Sequence, residues 1–273
     1  MSSMTIRQSR PGGTKPKKKK IDPIYIIAPI ILFCVVITAW EIAVAAYGIP
    51  RTILPAPHAI LAEMSKNFVR DIWPHFLFTL GVILKGYFIA IPLGIVIAGI
   101  CSQFRLLIKA TTPLIILLVV TPMITMVPLF MGGMGFDDGT RIINVRVIVV
   151  ILQATPIITL NTMTGFTTTE TAKLELMRSM GASRWQTFWK VIFPNALPQV
   201  FTGLKIGCIF STIAAMSADL AAGKIGLGYR IQQYSGLIMT EMAYGTIIIV
   251  ALIGIVLFQI VVMIERRVIV WVK

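Results

Sequence analysis

The chain has 273 residues, of which 56% are hydrophobic and 13% charged, with a mean hydropathy of +0.86. A soluble globular domain carries about 25% charge, so this composition excludes an ordinary water-soluble fold and points to a bundle of membrane helices. The net charge of +14 raises nucleic acid as a partner, but seven of the 25 Lys and Arg crowd into the first 20 residues, directly before an apolar run, which argues against it.

Residues 1–23 read as a basic, solvated, disordered tail that sets topology or touches anionic lipid. The next run, 24–47, loosely resembles a signal peptide and ends near Ala43-Val44-Ala45. However, Ile24–Trp40 lacks any charge, and a secretory core is usually about 7–15 residues, so this run reads as an uncleaved first span with Glu41 at its interface. Segment 48–73 opens with Gly48, Pro50, Pro55 and Pro57. It continues with Ile60, Leu61, Met64 and Phe68 spaced between Glu63, Lys66 and Arg70, the pattern of a short amphipathic helix along the outer interface.

Five further apolar runs occupy 74–101, 106–131, 145–165, 199–221 and 244–270. A bilayer core needs roughly 20 apolar residues per span, and unpaired backbone groups in lipid force each span to be helical. The expected fold is therefore all-α, a polytopic protein of about six transmembrane helices, with five of them forming a core over 74–270. There is no clear internal repeat. Within the runs, charges are the default functional candidates. Lys85 reads either as a pore-facing cation that tolerates anions or as a snorkelling lysine. Asp219 reads as an interfacial charge or as a partner of Lys224 or Arg230 at an outer gate.

The third run contains Thr121-Pro122-Met123-Ile124-Thr125-Met126-Val127-Pro128. Two prolines interrupt its backbone ladder, and irregular helix at membrane depth is tolerated where it lines a cavity or is buried in protein. Pro122, Met123, Met126 and Pro128 are therefore candidates for a pathway wall, with Pro156 of the fourth run in support; a kinked packing helix is the alternative. Gly132, Gly133 and Gly135 predict an outer turn before Asp137-Asp138.

With the N-terminus placed in the cytoplasm, cytoplasmic segments hold 16 Lys and Arg and outer segments hold seven, including Arg146. That bias puts both termini inside. Cys34, Cys101 and Cys208 lie in or beside apolar runs without metal-site spacing, and His58 and His75 are the only histidines, so neither a metal centre nor a cofactor is expected.

Segment 166–198 is too polar to span and too patterned for a slack loop. Leu174, Met177 and Met180 recur every three residues on one face, and Gly181 suits a left-handed helix end. Ser183 and Gln186 fit a capping box. Trp185, Phe188 and Trp189 then mark an aromatic face, and Pro194 and Pro198 bound the approach to the fifth span. The prediction is two short angled helices with an apolar ridge, packed either on this chain's own helix ends or in a partner's groove.

At these residues the chain resembles the permease subunits of binding-protein-dependent ABC importers, which carry an EAA loop: Glu-Ala-Ala, three residues, Gly, nine residues, Ile, one residue, Leu-Pro. Here Glu175-Leu176-Met177, Gly181, Val191 and Phe193-Pro194 stand at those places, with both alanines replaced. The resemblance is nearest to the nitrate, taurine and alkanesulfonate subgroup through Leu54-Pro55-Ala56-Pro57, Pro156, Asn161-Thr162, Asp219 and Gly226-Leu227-Gly228-Tyr229. That subgroup often has Arg where Val82 stands, one turn from Lys85.

The resemblance implies a transport subunit of the cell (inner) membrane, not an enzyme. It implies a pathway for a small anionic solute, formed with a second copy in a homodimer. The further partners would be ATP-binding subunits and an extracytoplasmic substrate-binding protein. Glu175, Met177, Gly181, Ala182, Trp185, Phe188, Val191 and Pro194 would couple to the ATPase. A Walker A pattern is absent, so ATP belongs on another chain. A secondary transporter or channel independent of ATP is the competing reading.

Overall fold

The computed structural model describes residues 24–133 and 139–271. Eleven α-helices lie within them: α1 (Ile24–Ala46), α2 (Pro57–Asn67), α3 (Trp73–Cys101), α4 (Arg105–Val120), α5 (Met123–Gly133), α6 (Gly139–Thr167), α7 (Thr171–Ser179), α8 (Arg184–Thr187), α9 (Phe193–Ala222), α10 (Leu227–Gly236) and α11 (Thr240–Val268). Five helical stretches are long and apolar enough to cross a membrane, and six if the bent pair α4–α5 counts as one span. The all-helical bundle expected from the sequence is present.

The centre of the bundle is α6, which packs most extensively on α9 and α3. Close approach comes from small residues, as membrane helices require when no hydrophobic effect drives them together. A methyl at Gly94 of α3 would lie 2.8 Å from Ile158 of α6, and one at Gly203 of α9 would lie 2.9 Å from Asn161. The buried residues of α3 recur every three or four positions from Thr79 and Val82 through Gly86, Ala90 and Gly94 to Ala98, which is one face of a helix. One end of the core gathers Ile72, Val82, Val149, Ala218 and Leu227, and the opposite end gathers Ala98, Cys101, Met163, Phe166 and Ala196.

By contrast, α1 is almost wholly uncovered. It is tied down near its end by Glu41, which accepts from the His58 ring and, at 3.3 Å, from the His58 N–H. Trp40 packs on Tyr244 of α11 with ring centroids 6.4 Å apart.

Three expectations need correction. The third apolar run is two helices meeting at 87° across Thr121-Pro122. Pro122 excludes its predecessor from helical geometry, and Thr121 is extended, with φ −62° and ψ 124°. The amphipathic segment does not stop before the second span. It continues through a π turn at Phe68–Ile72 into α3, burying Ile60 and Ile72 while Leu61 faces outward. Finally, the second helix of the 166–198 segment is not separate. It runs from α8 through a π turn at Phe188–Ile192 into α9. Pro194 falls in the first turn after that π turn, so the backbone bond it removes lies where the helical ladder is already irregular.

Candidate functional site

The bundle carries polar constructions at both ends. At the end holding α7, the chain leaves α6 and forms α7, which Gly181 closes with φ +69°. The Gly181 N–H bonds to Arg178 O and the Ala182 N–H to Met177 O, both at 3.0 Å, the paired bonds of a Schellman cap. Two residues on, the Gln186 N–H donates to Ser183 Oγ at 3.2 Å, and the Ser183 N–H donates to Gln186 Oε1 at 2.9 Å, completing the expected capping box. Two local devices thus fix a sharp turn between α7 and the helix leading into α9.

The aromatic face divides in two. Phe188 and Phe193 pack inward on Phe166 of α6, with centroids 5.3 and 6.3 Å away, and Trp189 closes on Phe193 at 5.1 Å. That part anchors the segment to its own bundle. The other part is open: Leu176, Met180 and Trp185 are 60%, 72% and 71% exposed. Of the residues that the resemblance assigns to coupling, Glu175, Gly181 and Trp185 lie at the surface. Met177, Ala182, Phe188, Val191 and Pro194 are half-buried. A cleft of 1040 Å³ lies on one flank of α7, against the end of α3, and one of 330 Å³ lies on the other flank, beside Lys190 and Trp271.

At the opposite end, Arg146 of α6 and Asp219 of α9 are fully buried and form an ion pair at 3.0 Å. This corrects the pairing of Asp219 with Lys224 or Arg230. Arg146 also donates to the carbonyls of Gly223 and Ile225 at 2.7 and 2.9 Å, and its guanidinium lies over Phe78. Asp219 accepts from the Thr79 hydroxyl at 2.5 Å, and that hydroxyl in turn accepts from the Leu227 N–H at 2.8 Å. This crowding accounts for the Gly-Leu-Gly motif. Gly226 has φ +116°, and a side chain there would strike the Asp219 carboxylate.

Around this knot, Asp71 accepts from Arg230 and from the Tyr234 phenol; burial pushes that phenol up from its ordinary pKa. The His75 ring faces the Gly226 N–H at 3.0 Å and Arg230 Nε at 3.1 Å. A neutral imidazole has one bare nitrogen, so it accepts from only one of them. Sequence reasoning pointed to none of Arg146, Thr79, His75 or Asp71. The available signal was an arginine at the edge of an apolar run, opposite in sign to Asp219.

The remaining candidates scatter. Lys85 projects from the uncovered face of α3 with Phe88 and Ile89, while Val82, one turn earlier, is in the core. The two are therefore not on one face. Met123 is also turned into the core, beside Val127, and Met126 is half-buried. Pro122 at the break is exposed, as are Ile124, Thr125, Pro128 and Leu129 of α5. Pro156 is buried within α6. Gly135, Asp137 and Asp138 lie outside the described residues. Lys205 of α9 pairs with Glu265 of α11 at 2.9 Å. A 740 Å³ cleft between α9 and α11 is lined mainly by apolar groups, among them Ile213, Met216 and Phe258, with Thr212 and Gln259. Among the described residues no cluster of His, Cys, Asp or Glu is fit to hold a metal.

A helical membrane bundle with a capped turn projecting from one end has the architecture of a transport subunit. The chain belongs to the family of binding-protein-dependent transport system inner membrane components, whose model matches residues 90–270. It is the permease subunit of an ABC importer, a multi-pass membrane protein, and the ATPase of such an importer is a separate chain. It is 28% identical to the formylaminopyrimidine transport permease protein ThiX of Halalkalibacterium halodurans, over 90% of this chain and 96% of that protein. It is 26% identical to the taurine transport system permease protein TauC of Escherichia coli, over 81% and 80% of the two chains. An inward-facing structure of the MetNI methionine ABC transporter shares the fold, with a TM-score of 0.57 at 21% identity, covering 76% of this chain and 98% of that one.

Proposed function

We propose that two copies of this chain enclose a pathway for a small anionic solute, and that α7 with its turn docks on an ATP-binding subunit that drives the cycle. The observation carrying the docking is the open ridge of Leu176, Met180 and Trp185 beside a turn fixed by two caps. Apolar side chains at a rigid water-facing corner match a groove on a soluble partner. Phe188 and Phe193 hold the corner to α6, so a push on α7 reaches the bundle as a rigid displacement rather than dissipating in a loop.

A soluble binding protein delivers the solute at the face of α2 and α10. ATP binding closes two ATPase subunits, α7 moves with them, and the pathway switches its access. The anionic preference is supported by Lys85, a cation on an uncovered face about 18 Å along α3 from its first residue. A charge at that depth faces protein or water rather than lipid, which also favours a second copy against α3. The name of TauC, a taurine permease, agrees with an anionic group on the solute; that of ThiX, a formylaminopyrimidine permease, widens the range of solutes.

The test compares Gly181→Leu and Glu175→Ala with the unaltered protein, co-expressed with its ATPase and binding-protein partners. Loss of ATPase co-purification together with loss of uptake is expected. Uptake that persists without any ATPase subunit would overturn the reading in favour of a secondary transporter.

A further inference from the structure

The larger cleft beside α7 has a vertical gradient of chemistry. Its lower wall is the last turns of α3, where Val96 and Ile100 are uncovered. Its rim is formed by Gln103, Arg178, Arg184 and Trp185. Val96 lies five residues before the end of α3 at Cys101, about 8 Å along its axis. The cleft therefore extends from the end of α3 over the last turns of its apolar stretch. Neither arginine forms an ion pair with a described residue. Its 1040 Å³ exceeds what a free inorganic anion fills.

We propose that this cleft holds an anionic phospholipid, whose phosphate is bound by Arg178 and Arg184 and whose acyl chain lies along Val96 and Ile100. Basic clefts between membrane helices at the headgroup level select such lipids. A soluble partner's acidic side chain reaches the rim but not the lower wall, which the bilayer itself occupies. The site depends on α3 being in a membrane and not on the ATPase reading. Of the docking ridge, Leu176 and Met180 do not line this cleft, whereas Trp185 stands between the two surfaces.

Native mass spectrometry of the full-length protein, purified in mild detergent, tests it. The unaltered protein is expected to retain phosphatidylglycerol or cardiolipin in preference to phosphatidylethanolamine. The double variant Arg178→Gln/Arg184→Gln should retain it roughly 30-fold less, at about 1 kcal/mol per basic residue. Lys173→Gln/Lys190→Gln removes equal charge from the other flank of α7 and should leave retention unchanged. Equal loss in both double variants would mean diffuse attraction and overturn the site, as would no loss in either. Displacement by millimolar inorganic phosphate would reassign the rim to a free anion. If the arginine variant loses ATPase binding in lipid-free detergent but keeps its lipid, the arginines serve the partner and the proposal fails. Unfolding temperatures in phosphatidylcholine nanodiscs separate misfolding from lost binding, since the arginine variant should match the unaltered protein there. Adding phosphatidylglycerol to the nanodiscs should stabilise only the unaltered protein and the lysine variant.

Discussion

Arg146 and Asp219 show how a charge inside an apolar bundle is made tolerable. Each is fully buried, and each has a polar contact beyond its partner: two carbonyls for Arg146 Nη2, the Thr79 hydroxyl for the aspartate. Removing one member of a buried pair strands the other charge and costs about 3–5 kcal/mol, whereas replacing both by apolar groups is often neutral. Asp219→Ala should therefore lower the detergent-solubilised protein's unfolding temperature far more than Glu265→Ala, whose pair with Lys205 is part-exposed. Arg146→Met/Asp219→Leu should recover much of the loss. If the double variant is no more stable than Asp219→Ala, the pair is not what holds the 223–226 loop. Sequence reasoning singled out Asp219 through its motif but sought its partner nearby, at Lys224 or Arg230. The actual partners lie 73 and 140 residues away, and a contact across that distance leaves no local period or cap to read.

The α7 turn is legible for the opposite reason. A left-handed glycine and a capping box are each set by residues within four positions, so Gly181, Ser183 and Gln186 announce themselves and the structure keeps every one of their bonds. The path of the chain beyond Gln186 is not legible in the same way. Pro194 looks like a boundary, yet the π turn at Phe188–Ile192 lets the helix run on into α9. The break at Pro122 is visible as a proline, but its 87° angle depends on Met123 and Val127 packing into the core. The cap yields a graded prediction. A side chain in the left-handed region costs about 1–2 kcal/mol, with Asn tolerated best. Gly181→Asn should thus keep most uptake, and Gly181→Val should lose it. Hydrogen exchange at the amides of residue 181 and Ala182 should rise in the same order. Equal exchange in both variants would show that the cap does not fix the turn.

At the scale of the whole molecule, burial falls from the centre outward: 56% of the most apolar window of α6 is buried, 17% of that of α11 and none of that of α1. The uncovered helices, α1 above all, turn apolar faces outward, while the polar knot and the α7 turn mark opposite ends. Which end faces the cytoplasm rests on the positive charges. Arg146, one of the seven cations assigned outside, is locked in the core and is no loop charge. Six then remain against 16, and loop cations stay on the cytoplasmic side. In a background without reactive native thiols, Ser235→Cys at the end of α10 and Ser183→Cys at the α7 turn are both exposed. A membrane-impermeant maleimide added to intact cells should label the first, and the second only after permeabilisation. The reverse pattern would place α7 outside, where no ATPase could reach it, and would remove the basis for coupling through that turn.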